Sequence, residues 1–307
     1  MPLSYDQLSA ITKKYYVPKL VDAIFDSDPL LKRYKDKGRY KKVGGGTSAM
    51  MPLNYALTTA AGWYSGTETL STTDNDQISA AEYQWKQAYA NITIARDDEL
   101  KNSGDAQVID LVKSKTQIAE KTLADYIQGG LYHSGSNSKS IVGTGLFLST
   151  SNTVGGIAQG TYSWWQAQID SSTTTLGLAA MQTIWNSCTI NNSSPTVLMS
   201  TRSVFNKYFA LLAPQQRFVD SETAKGGFQN LMFNGAPVIV GSKVPTANLQ
   251  FLNEENLALL VMKEEDFRFE PFQKPVNQNA KTAKIYWMGA HGTDNCRMLG
   301  ALTAITA

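Results

Sequence analysis

The sequence predicts an α+β protein of several structural parts, and three observations carry that prediction. A 3.6-residue apolar stripe through Val108, Leu111, Val112, Ile118, Ala119, Leu123 and Tyr126 makes one long helix. From Ile141 to about Pro245 helical faces alternate with short apolar strands, and from Leu257 to Ile305 strand follows strand. Ahead of the long helix, the stretch from Lys42 to Leu100 contains no segment able to build its own core, although it carries Trp63, Tyr64, Tyr83, Trp85 and Tyr89.

The first residues read as short helices strung together. Ser4 and Gln7 form a capping box before Leu8, Ile11 and Tyr15. Pro18 resets the chain, Leu20, Val21, Ile24 and Phe25 make a second face, and Ser27-Asp28-Pro29 ends it before Leu30, Leu31 and Tyr34. Gly44-Gly45-Gly46 opens the long extension, with turns at Gly62, Gly66 and Asp74-Asn75-Asp76. Its far end, Tyr83 to Ile94, is rich in aromatic and β-branched residues and reads as a strand with apolar groups on both faces. A lone two-stranded ribbon is marginal in water. Cover from a neighbouring copy is therefore expected, with Trp63, Tyr64, Tyr83, Trp85 and Tyr89 as candidate inter-subunit contacts.

Ser103-Gly104-Asp105 starts the long helix and Gly129-Gly130 is expected to stop it. Beyond it, Leu178, Met181, Ile184, Trp185 and Cys188 share a helical face, and Thr196-Val197-Leu198-Met199 reads as a buried strand. Val204, Phe205, Tyr208 and Phe209 make another helix, ended by Pro214, and Pro237-Val238-Ile239-Val240 another strand. Runs at Leu257 to Met262, Phe267 to Phe272, Ala283 to Met288 and Met298 to Ile305 suggest an antiparallel sheet returning to the long helix.

With 307 residues, 42% of them hydrophobic, the chain can bury a substantial core. A net charge of +2 excludes a strongly basic nucleic-acid binder, yet Lys13 to Lys42 holds ten Lys and Arg against four Asp. Such an arm suits phosphates, with a solvated helical face as the alternative. Cys188 and Cys296 read as buried thiols rather than a disulfide framework. No apolar run reaches the roughly 18 residues of a membrane span. The start of the chain lacks a secretory pattern, so folding in a cytosol and no membrane partner are expected.

Chemistry is sparse. Gly44-Gly45-Gly46-Thr47-Ser48-Ala49 formally fits a dinucleotide fingerprint, but Pro52 falls where the phosphate-facing helix should continue. No Walker loop and no Gly-x-Ser-x-Gly elbow occurs. His133 and His291 each sit beside glycine, are read as turn residues, and have no second ligand at metal spacing. Asp97-Asp98-Glu99 suits a helix amino terminus, while Glu254-Glu255 and Glu264-Glu265-Asp266 read as solvated edges. No catalytic, cofactor-binding or metal residue is assigned. A monomeric hydrolase using Ser134, His133 and Asp294, and a surface adhesin rich in Ser, Thr, Asn and Tyr, are the rivals from other classes.

The order of parts resembles the major capsid protein of tailed bacteriophages, the Hong Kong 97-type fold. The residues that carry the resemblance are Asn91-Ile92-Thr93-Ile94 through Glu99-Leu100, Ser103-Gly104-Asp105, Leu131-Tyr132-His133-Ser134-Gly135, Gly235-Ala236-Pro237-Val238-Ile239-Val240, and Glu270-Pro271-Phe272 with Asn277-Gln278-Asn279-Ala280. The similarity covers essentially the whole chain, through the order of its segments rather than one motif. It implies an N-terminal arm (1–37), an extended β-hairpin loop (38–100), a long spine helix of the peripheral domain (101–140), an α/β axial domain (141–250) and return strands of both domains (251–307).

It also implies a virion subunit, assembled in the host cytoplasm, that meets itself as pentamers and hexamers, with a separate scaffolding protein and a portal as partners. Packaged double-stranded DNA would be bound without sequence reading through Lys13, Lys14, Lys19, Lys32 and Arg33. Some members weld their shells through a loop lysine; no lysine lies between Lys42 and Lys86, so a non-covalent shell is expected. Some begin with a long cleavable scaffolding segment, whereas this sequence opens on the arm. An encapsulin-like nanocompartment is the rival within the same fold.

Overall fold

A computed structural model describes residues 28–73, 75–101, 105–134, 138–212, 231–276 and 278–306. The helical faces read before residue 28, Lys13, Lys14 and Lys19 among them, lie outside the described residues, as does Pro214.

Helix α1 (Pro29–Asp36) begins with proline in its first turn, where the missing N–H has no partner to lose, and buries Leu30, Leu31 and Tyr34. Strands β1 (Tyr40–Val43), β2 (Ser48–Asn54), β3 (Ile78–Gln84) and β4 (Lys86–Ala95) follow, with the long loop between β2 and β3. Short helix α2 (Arg96–Lys101) leads to the long helix α3 (Asp105–Leu131), whose 27 residues span about 40 Å. Its buried stripe runs through Val112, Thr116, Ala119, Leu123, Ile127 and Leu131, while Ile118 and Tyr126 of the predicted stripe face solvent. The predicted stop at Gly129-Gly130 is also corrected, because the helix runs on to Leu131. Gly130 is there for closeness: a Cβ on it would lie 2.8 Å from the Ile141 side chain.

After α4 (Thr144–Phe147) and the small hairpin β5 (Thr153–Val154) and β6 (Ile157–Ala158), β7 (Gln168–Asp170) enters a second sheet. Helix α5 (Leu178–Cys188) buries Met181, Ile184, Trp185 and Cys188, as its spacing predicts. Strand β8 (Val197–Ser200) and helix α6 (Arg202–Leu212) come next, though Phe209 of the predicted face is exposed. Strands β9 (Met232–Phe233), β10 (Ala236–Val240) and β11 (Leu249–Leu252) complete this part. The chain returns through β12 (Leu257–Met262), β13 (Arg268–Gln273), the 14-residue β14 (Ala280–Thr293) and β15 (Gly300–Leu302).

Two sheets organise these elements. One has six strands in the order β7-β15-β11-β8-β10-β9, mixed parallel and antiparallel. Strand β8 is buried on both faces, and its alternation divides it between two cores. Leu198 points into the cluster with Met181, Trp185 and Tyr208, while Val197 and Met199 point into the larger one with Tyr132 and Leu131. The other sheet centres on β14. Strands β13 and β4 both pair with residues 282–286 of β14, and Gly289 pairs with both Val261 of β12 and Lys86 of β4. A strand has two edges, so β12 and β13 lie on one side of β14 and β4 alone on the other.

Candidate assembly surface

The extended loop is fastened at its base. Tyr83 is 2% exposed, and its hydroxyl donates to the Thr293 carbonyl at 2.7 Å while accepting from the Thr293 amide at 3.1 Å. The Glu82 amide donates to the Gly155 carbonyl at 2.9 Å. Gly155 sits at φ +59°, and a Cβ there would come within 2.6 Å of the Ala81 methyl. Tyr55 stacks on Trp164 with ring centroids 4.8 Å apart, and the half-buried Trp85 donates its indole N–H to the Gly46 carbonyl at 3.0 Å. The absence of a core in this stretch is therefore corrected for its base. Ala49, Leu53, Ala81 and Tyr83 join the main core because β2 and β3 pack on β14. Tyr83, proposed from sequence as an inter-subunit contact, is covered by its own chain, and Trp85 is partly so.

From Leu57 onward the loop is largely bare. Leu57 is 90% exposed and Trp63 fully exposed, with Tyr64 and Leu70 also largely in solvent. Four bulky apolar groups so close in one irregular segment differ from the single exposed side chains that any surface carries. From Val43 to Trp85 the sequence has no lysine or arginine, and its charges are Glu68, Asp74, Asp76 and Glu82.

Tyr89, the remaining aromatic, stands exposed on β4 at the rim of a groove of about 490 Å³. Six consecutive residues of β4, Lys86 to Asn91, line one wall. Helix α3 supplies Thr122, Tyr126 and Ile127 to the other, with Ile141, Trp287 and Lys139 closing it.

Apart from this surface, polar contacts hold α1 to the body. Glu254, read from sequence as a solvated edge, is fully buried, and this is the largest correction to the charge reading. Its carboxylate receives Arg33 at 2.5 and 2.7 Å, Lys37 at 2.6 Å and the Thr196 hydroxyl at 2.8 Å. Burial alone would raise its pKa, but these donors outweigh burial and hold it below the usual range. Arg33 is thus engaged inside the chain, which removes it from the candidate DNA-facing set; Lys32 of that set lies exposed on α1. Asp28, just before α1, is buried beside the Tyr132 hydroxyl at 3.0 Å, and burial raises its pKa to about 6.

His291 is a strand residue rather than a turn residue: it lies in β14, fully buried. Its Nδ1 is 2.7 Å from the Val142 carbonyl, which can only accept, so Nδ1 carries the proton and Nε2 accepts from the Tyr34 hydroxyl at 3.0 Å. Burial lowers its pKa to about 4. A base whose folded pKa lies below its unfolded value stabilises fully above about pH 6.5 and loses that contribution as pH falls towards 4. Asp28, and Asp294 with its pKa raised by burial to about 6, act oppositely, gaining stability as pH falls from 6 towards 4. For His291→Gln, the stability deficit relative to the parent chain should therefore shrink by about 2 kcal/mol between pH 7.5 and pH 4.5. Denaturant melts at the two pH values check this, and a constant deficit would refute a buried neutral imidazole.

Among the described residues no group of three His, Cys, Asp or Glu could hold a metal ion. The charged groups acting on Asp294 are Arg39 and Lys41, so the acid of the hydrolase reading faces the basic segment before and within β1. Both cysteines are free and buried. Among the described residues no helix is long and apolar enough to cross a membrane.

Neither a protein-family model nor a curated protein matches the sequence. Solved structures do match. The capsid asymmetric unit of cyanophage A-1(L) superposes with a TM-score of 0.65 at 15% identity, over 88% of this chain and 91% of that one. The chain has the phage capsid fold. The procapsid of satellite phage P4, solved with its size determination protein, gives 0.54 at 13% identity over 94% and 90% of the two chains. A holo-SrpI encapsulin from Synechococcus elongatus PCC 7942 gives 0.52 at 10% identity over 87% and 84%. At these identities the likeness is one of fold.

Proposed function

We propose that this chain is the major capsid protein of a tailed bacteriophage. Copies assemble as pentamers and hexamers into an icosahedral head shell around double-stranded DNA, so the chain acts as a virion component and not as an enzyme. The observation that carries this reading is the exposed aromatic loop of an otherwise well-packed subunit. An isolated copy leaves Leu57, Trp63, Tyr64 and Leu70 wet, and repeated contacts between identical copies bury them. Gly45 and Gly46, at φ +155° and +120°, give the loop a pivot that accommodates both five-fold and six-fold rings. A separate scaffolding protein and a portal complete the assembly set, in line with a procapsid of the same fold that includes a size determination protein.

The test is a loop variant carrying Leu57→Ser, Trp63→Ser and Tyr64→Ser. It should unfold at nearly the parent temperature, because exposed side chains contribute within about 0.5 kcal/mol each. It should also fail to form the shells that the parent chain shows by electron microscopy. Normal shells from this variant would overturn the reading. Parent shells boiled in detergent should run as single chains, since the loop has no lysine to weld.

The second reading, a cellular nanocompartment, is favoured by the encapsulin match. Nuclease-resistant DNA in purified native particles supports the phage, and a stoichiometric protein cargo without DNA supports the compartment.

A further inference from the structure

The hairpin of β9 and β10 carries a chemical motif that the shell reading leaves unused. Phe233 pairs with Ala236 and Met232 with Pro237, so the turn between them consists of Asn234 and Gly235 alone. Both stand at positive φ, +47° and +83°, as a two-residue Asn-Gly turn requires. No other Asn-Gly pair occurs in the sequence. Both residues are exposed, and a Cβ built on Gly235 would meet nothing within 4 Å, so the approach to its amide nitrogen is open. The hairpin is also weak. Strand β9 has two residues, lies at the edge of its sheet and faces Pro237, which has no N–H to donate. Local opening there is cheap.

We propose that Asn234 is a self-modifying site that converts to aspartate and isoaspartate without an enzyme. In the opened turn the Gly235 nitrogen attacks Asn234 Cγ: the new N–C bond closes a five-membered imide, the Cγ–Nδ2 bond breaks, and ammonia leaves carrying the amide proton. Water then opens the ring. Attack at the side-chain carbonyl gives aspartate, and attack at the main-chain carbonyl gives isoaspartate, whose backbone runs through Cβ and Cγ and is one methylene longer. Either product disturbs contacts. The Asn234 amide donates to Gln182 Oε1 of α5 at 2.9 Å, and Gln182 is itself fixed by donating to Asn186 Oδ1 at 2.8 Å, so a carboxylate at residue 234 faces another acceptor. The longer backbone of isoaspartate also breaks the register that seats Phe233, 8% exposed, edge-on to Trp185 and Tyr208. The turn therefore acts as a slow clock on the smaller of the two cores, running in any copy whose hairpin is free to open.

Two measurements test it, neither of which depends on the shell reading. Purified chain is warmed at mildly alkaline pH, which ionises the attacking amide, and sampled over days. Trypsin releases the peptide from Gly226 to Lys243, and mass spectrometry reads the gain that accompanies replacement of NH2 by OH. Conversion at Asn234 should run about tenfold or more faster than at Asn186, whose following amide is locked inside α5, with isoaspartate among the products. Equal rates at the two sites overturn the proposal. The second measurement ages the parent chain beside Asn234→Gly, which suits a positive φ and has no carboxamide to cyclise. The parent's denaturation midpoint should fall with age while that of the variant holds. A parent midpoint that stays constant as Asn234 converts, or an equal fall in both chains, overturns the clock.

Discussion

Glu254→Ala should destabilise the chain by about 3 kcal/mol and free α1 from the body. The carboxylate is the common acceptor for Arg33, Lys37 and Thr196, so its removal leaves two cations facing one another with no anion between them. Arg33 and Lys37 side chains retain 24% and 42% of their exposure and can turn to water, which keeps the loss at the lower end for a broken buried pair. Denaturant unfolding gives the magnitude, and faster proteolysis between Lys32 and Lys42 reports the loosened helix. The depressed pKa of Glu254 sets the pH window: its contribution is present above the unfolded carboxylate value of about 4.5 and is lost as pH falls through the lower folded value. A loss below about 1 kcal/mol at pH 7 would mean that α1 is held by Leu30, Leu31 and Tyr34 alone.

Gly143→Ala should be at least as damaging, and Gly129→Ala should have the opposite sign. A Cβ at residue 143 would lie 2.3 Å from the His133 amide nitrogen, 2.4 Å from its carbonyl oxygen and 2.8 Å from the Gly130 carbonyl. These are backbone atoms at the end of α3 and cannot swing aside, so the joint between the long helix and the following domain must open. A loss above about 3 kcal/mol, or insoluble expression, is expected. At Gly129, one turn back, a Cβ meets nothing within 4 Å in a helical interior, and alanine should stabilise by about 1 kcal/mol. Urea melts of the two variants decide the matter, and equal effects of one sign would show that the close approach of residues 130–133 to 143 is wrong.

These two sites show where sequence reading stops. The run of Thr196 to Met199, the face of Leu178 to Cys188 and the strand Leu257 to Met262 were legible because a covered strand needs a continuous apolar run and a buried helix face a period of 3.6. Strand β2 was missed because Ser48-Ala49-Met50-Met51-Pro52-Leu53-Asn54 has weak β-propensity; its proline is tolerated at an exposed position of a two-stranded ribbon. Strand β11 was missed because Gln250 interrupts its apolar run, although the side chain is buried and accepts from Thr144.

The candidate surface divides the same way. An aromatic loop too poor in core to stand alone was visible in composition, and Leu57, Trp63 and Tyr64 remain exposed in the folded chain. That Tyr83 closes on Thr293, 210 positions away, was not.

By itself the sequence determined an α+β chain with one long helix and an apolar loop in want of cover. Only the tertiary structure decided which aromatics the chain covers for itself, that Glu254 is a buried anchor, and that β4 offers an open edge. Periodicity is a local property of the chain, whereas an ion pair across 221 positions or an unpaired strand edge exists only once distant segments have packed.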